Sequence, residues 1–233
     1  SIQQQSQFCA PCHFGSFWDT QIYNSFGEWL ESPYSNAETG KTCQDCHMPA
    51  GKNDHFARLD KGGVIRDPQT IYSPRMPGAS DVELLQNAVT MTVNVKVEGE
   101  KLIVAVQIEN DKTGHHVPTD SPLRQLILLV NVTNENEQPL PILEGETIPE
   151  WGGVGDPNLG YYAGLPGKGF VKTLSELWTE MEPTGSYWNP THIVSDNRIA
   201  VFDTDSSTYV FSAPLNGKAN ITITLLFRRF FGV

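Results

Sequence analysis

From residue 89 onward, apolar and polar residues alternate with a period of two: Val89, Met91, Val93, Val95 and Val97 fall on one side of the pattern, Thr90, Thr92, Asn94 and Lys96 on the other. Glu98-Gly99-Glu100 breaks the run and Leu102 to Ile108 alternates again, which predicts a β-hairpin. Further strand patterns follow at Leu123 to Thr133, Ile199 to Phe202, Thr208 to Ala213 and Ala219 to Phe231. Short strands separated by turn residues point to an antiparallel β-sandwich of immunoglobulin-like type over residues 87–233. Between about 144 and 189 a Gly- and Trp-bearing insertion interrupts them, with a short helical pattern at Val171 to Met181. An insertion of that length inside a sandwich is expected to be functional or to form an interface.

Residues 1–86 have another character. Trp18, Ile22, Phe26 and Trp29 or Leu30 recur at helical spacing between Ser16 and Ser32, and Ser32-Pro33 stops them. The stretch from Pro49 to Pro77 is loop, and Asp81 to Ala88 is a short helix with acidic residues in its first turn. The predicted fold class is therefore α+β, a mostly helical and loop segment followed by the sandwich. The first segment holds too few aliphatic side chains for an ordinary core, so another apolar body must fill it.

Composition narrows the functions. The 233 residues carry 27 acids against 16 bases, a formal net charge of −11, which argues against nucleic acid or an anionic membrane surface as the partner. Nine acids against two bases lie between Glu135 and Glu182, so most of the excess is local: a solvated face or a docking surface for a basic partner. No apolar run reaches the roughly 18 residues of a transmembrane span. Ser1-Ile2-Gln3-Gln4-Gln5 lacks the basic and apolar regions of a signal peptide, the expectation for a mature or trimmed chain.

The four cysteines decide the chemistry. They stand as Cys9-Ala10-Pro11-Cys12-His13 and Cys43-Gln44-Asp45-Cys46-His47, Cys-x-x-Cys-His twice with none left over. That is the attachment pattern of c-type haem: two thiols one short turn apart reach the two vinyl groups of one porphyrin, and the next residue offers its imidazole to the iron. A four-cysteine zinc site needs a shorter gap between pairs and gives no reason for a histidine after each second cysteine. A thioredoxin-like dithiol wants a βαβ setting that neither motif has. Two covalent haems are expected, with His13 and His47 as proximal ligands. Such haems are attached outside the cytoplasm, so the chain is expected in the periplasm or outside the cell.

Each iron has a sixth position. His55 lies in a polar loop after the second motif and is a candidate distal ligand; His115 and His116 sit side by side in a turn, where at most one faces a given iron; His192 is an isolated loop histidine. Among methionines, Met48 is held on the proximal side of its own haem, Met76 sits in a turn, and Met91 and Met181 look like packing residues. Bis-histidine ligation is the favoured expectation and implies low-potential irons suited to moving electrons.

With both haem motifs, Cys46-His47-Met48-Pro49, His55-Phe56 and Thr113-Gly114-His115-His116-Val117-Pro118-Thr119, the chain resembles the C-terminal part of multihaem c-type cytochromes, the superfamily of tetrahaem and extracellular electron-transfer cytochromes with a β-sandwich tail. The resemblance implies that a Gly-His-x-x-Pro-Thr-Gly segment supplies a distal histidine, which maps onto His115. Asp120 stands where the last glycine would be, so His116 stays open, as does His192 toward a haem outside this chain. The function implied is electron transfer to redox partners or further haem domains. Two alternatives are kept: a reductase of nitrogen or sulfur oxyanions with one open iron, served by Arg58, Arg66, Arg75 or Tyr72, and a haem-bearing subunit of a homo-oligomer, filament or larger complex.

Overall fold

The structure, a computed structural model, describes residues 2–214 and 217–231. Its first part holds four short helices, α1 (Ala10–His13), α2 (Ser25–Leu30), α3 (Cys43–His47) and α4 (Val82–Gln86), and one hairpin of β1 (Gly15–Phe17) and β2 (Thr20–Tyr23). The helical reading of Ser16 to Ser32 thus holds only from Ser25. Trp18 and Asp19 both take positive φ, 51° and 63°, the geometry of a two-residue hairpin turn. Phe17 and Tyr23 then pack edge to face across the hairpin, centroids 6.1 Å apart, instead of stacking along a helix. The second haem motif forms a helix because it is capped at both partners of a box: Thr42 Oγ1 accepts from the Asp45 backbone, and Asp45 Oδ2 accepts from the Thr42 backbone. Asp81 caps α4 through the Leu84 N–H.

The rest of the chain is mostly strand: β3 (Thr90–Glu98), β4 (Lys101–Glu109), β5 (Gln125–Thr133), β6 (Ile142–Glu144), β7 (Gly167–Phe170), β8 (Lys172–Glu176), β9 (Thr191–Asp196), β10 (Thr204–Ser212) and β11 (Asn220–Arg228). One sheet runs β3-β4-β10-β6, a second β11-β5-β7, and β8 pairs with β9. Every pairing between these strands is antiparallel. Leu102, Val104, Val106 and Ile108 of β4, Tyr209 and Phe211 of β10, Leu126, Leu128, Val130 and Val132 of β5, and Phe170 of β7 form one core shared by the two larger sheets. In β4 the alternation read along the sequence is thus the inward face of the strand.

Two expectations fail here. Val171 to Met181 is strand β8 followed by a turn, and β7 and β8 lie inside what the sequence presents as an insertion. All five residues of β8 are buried, so both faces are covered and the period-two signal vanishes. Ile199 to Phe202 contributes only the single bridge Val117–Ile199 before a turn in which Phe202 has φ 58°.

β2 is tied to β8 by Lys172, whose Nζ donates to the carbonyls of Ile22 and Gln21. Burial, followed by the nearby Arg198, pushes this ammonium down to about 8. Between pH 8 and its ordinary value of 10.5, the unfolded chain keeps a proton that the folded chain has released, so stability rises with pH in that window. The full effect is about 3 kcal/mol at most. Urea midpoints at pH 8 and pH 10 should show the rise in the native protein and a smaller one in Lys172→Met; equal pH slopes would contradict the assignment.

Candidate functional site

Helices α1 and α3 present the two motifs side by side. The Cys43 N–H donates to Ser6 Oγ at 3.0 Å, and Gln44 Nε2 donates to the carbonyls of Gln3 and Gln5 at 3.0 and 2.9 Å. The thiols of Cys9 and Cys43 come within hydrogen-bonding reach of each other, Cys12 and Cys46 are exposed, and no disulfide joins the four. Burial, then Cys43, pushes the Cys9 thiol up to about 11, and burial also raises Cys46. Such protonated thiols are poor redox nucleophiles. Among the described residues no three of His, Cys, Asp and Glu gather as a four-cysteine zinc site requires.

Four of the histidines hold Nδ1 against an acceptor and leave Nε2 for a metal. His13 Nδ1 lies 2.6 Å from Asp120 Oδ2, His47 Nδ1 2.7 Å from the Pro77 carbonyl, His55 Nδ1 2.5 Å from Asp54 Oδ1, and His115 Nδ1 2.9 Å from the His116 carbonyl. An acceptor on the far nitrogen fixes the tautomer and ring orientation of a metal-binding imidazole. His116 instead turns Nδ1 toward Glu28 Oε1 at 3.3 Å, and His192 is exposed on β9.

The rings of His47 and His115 stand 6.2 Å apart at their centroids, with planes 19° from parallel. Two imidazoles sharing one metal through their free nitrogens, with metal–nitrogen distances of about 2 Å, would have nearly this separation. Burial lowers the pKa of His115 and keeps it in the neutral, ligating form. Among the described residues no ring contact joins His13 or His55 to a second histidine.

The loop carrying His115 is held from below by Glu28 of α2. Its Oε2 accepts the His116 backbone N–H at 3.0 Å and Thr119 Oγ1 at 2.6 Å, and its Oε1 lies 2.9 Å from Arg198 Nη1. Burial alone would raise this carboxyl, but His116, Arg198 and Thr119 outweigh it and hold it well below the usual carboxylate range. Gly114 packs closely here: a Cβ would meet Trp29 at 3.1 Å and Tyr34 at 3.2 Å, so these rings would have to shift. Glu28, Arg198 and Asp120 were not singled out by pattern as supports of the site. The local signals were Glu28, a charge in the middle of an aromatic stripe, and Asp120, at a position where the resemblance has glycine. Of the arginines imagined as proton donors, Arg58 pairs with the exposed Asp60; it is Arg124 that approaches His13 closely enough to oppose its protonation.

Neither a family model nor a curated protein matches the chain. Among solved structures it is similar to the penta-haem cytochrome c552 from Thermochromatium tepidum, with a TM-score of 0.67 over 99 % of this chain and 50 % of that one, at 17 % identity. The fold is that of a multihaem c-type cytochrome. This chain spans half the length of that cytochrome, and the likeness takes in the sheets as well as the haem motifs. Burial in the first 86 residues is uneven. Ile22, Phe26, Trp29 and Ile71 are its buried apolar side chains among the described residues, while Phe8, Phe14, Trp18, Phe56, Val64 and Ile65 are exposed. Bound haem would supply a redox-active iron; the residues present fit it through the sulfurs of Cys9, at the start of α1, Cys12 in α1, and Cys43 and Cys46 in α3, and through imidazoles whose Nδ1 is anchored.

Proposed function

We propose that the chain is an electron-transfer cytochrome carrying two covalent c-type haems, one on Cys9 and Cys12 with His13 proximal, the other on Cys43 and Cys46 with His47 proximal. His115 is the distal ligand of the second iron, which leaves His55 for the first; His116 and His192 rank behind them. The facing geometry of His47 and His115 carries the proposal, because six-coordinate bis-histidine iron moves electrons without binding a substrate. Residues 1–86 form the haem-bearing unit, and residues 87–233 an immunoglobulin-like sandwich that covers it. The compartment is periplasmic or extracellular.

The partners proposed are redox proteins or further haem domains. Part of the acidic stretch serves the chain itself: Glu146 pairs with Lys168, which also meets Asp205 of β10, and Glu176 accepts from Thr179 and Thr184. Assembly with another chain is supported by edge strand β3. Its Met91, Val93, Val95 and Val97 lie opposite Ile108, Val106, Val104 and Leu102, on the core face, yet remain 36–63 % exposed.

Native mass spectrometry with optical spectra of the reduced protein tests the proposal. Two haems per chain and spectra unchanged by carbon monoxide or cyanide are expected. A five-coordinate high-spin signal in the oxidised protein would favour the reductase alternative.

A further inference from the structure

The four anchored histidines do not have equivalent partners. His47 and His115 donate to neutral carbonyls, those of Pro77 and His116. His55 faces Asp54, whose carboxylate is about half exposed and therefore screened by water. His13 faces Asp120, whose side chain is only 5 % exposed. The Asp120 carboxylate is fixed at both oxygens: Oδ2 takes the short contact to His13 Nδ1, and Oδ1 accepts the Ser25 backbone N–H at 3.0 Å. Its backbone sits at φ 60°, a left-handed conformation uncommon for a side chain other than glycine. Local strain held at a residue whose side chain meets a candidate metal ligand is a reason to look for a role there.

A full negative charge on Nδ1–H draws the proton toward the carboxylate and makes the imidazole a stronger donor at Nε2. A stronger donor favours ferric over ferrous iron, and a buried anion near the iron acts in the same direction. A neutral carbonyl exerts a weaker pull. We infer that Asp120 is a positioning residue that sets the potential of the haem held by Cys9, Cys12 and His13, making it the lower-potential haem of the two. Electrons then run downhill from the first motif to the second. This rests on the proposed haem attachment.

The test is a potentiometric titration of the purified holoprotein, with haem count by mass and electron paramagnetic resonance on the same samples. In Asp120→Asn the hydrogen-bond shape is kept and the charge removed; Asp120→Gly removes the side chain and suits the backbone conformation, so the fold survives even if the asparagine variant is poorly packed. In both, the lower of the two midpoints should rise by at least tenfold in the reduction equilibrium, about 59 mV for a one-electron couple. The upper midpoint should stay in place, and the signal of one ferric haem should change. A purely structural Asp120 would leave the midpoints alone. Two attached haems with unshifted midpoints in a folded variant overturn the inference and leave the haem proposal standing; a native chain without haem on Cys9 and Cys12 overturns both.

Discussion

In His115→Ala, one of the two proposed haems should lose its sixth ligand, and the oxidised protein should show a high-spin signal from about half of its iron. The reduced protein should then bind carbon monoxide at that haem. The expectation follows from the rings of His47 and His115, the one histidine pair among the described residues that a ring contact joins. His115→Met should restore a six-coordinate state at a higher potential, because thioether sulfur favours ferrous iron. Electron paramagnetic resonance decides the matter: if both haems stay low-spin in His115→Ala, the distal ligand is another residue.

Removing the support beneath that loop should be as damaging to the fold as the ligand variant is to the iron. Glu28→Ala leaves Arg198, 5 % exposed, with one buried carboxylate fewer, and takes the acceptor from Thr119 and from the His116 N–H. Breaking a buried charge pair from one side costs about 3–5 kcal/mol. Urea unfolding of the holoprotein should show a loss of that size, accompanied by a fraction of high-spin iron as His115 drifts from its partner. Glu28→Gln, which keeps the shape, should fall between. A loss under about 1 kcal/mol for the alanine variant would show that Arg198 and the loop find other partners.

How much of this was legible in the chain depended on sequence distance. Covalent attachment needs its residues within five positions, so both haem motifs stood out without any folded context. The β3–β4 hairpin was equally plain, because one solvated face preserves the alternation. The β1–β2 hairpin was mistaken for helix because Trp18, Ile22, Phe26 and Trp29 satisfy a period near four, and nothing in the composition announces positive φ at Trp18 and Asp19. Strand β8 was hidden by burial on both faces. The supports of the histidines were hidden by range: Asp120 is 107 residues from His13, and Glu28 is 88 residues from His116. No periodicity links such pairs, although Asp120 was visible as a departure from a glycine position.

The juxtaposed thiols of Cys9 and Cys43 impose an order of events on biogenesis. A sulfur packed against another sulfur and partly buried is poorly placed to add across a vinyl group, and its raised pKa leaves little thiolate to attack. If the proposed haems are held by these cysteines, attachment is expected while the chain is still open, before the sheets form.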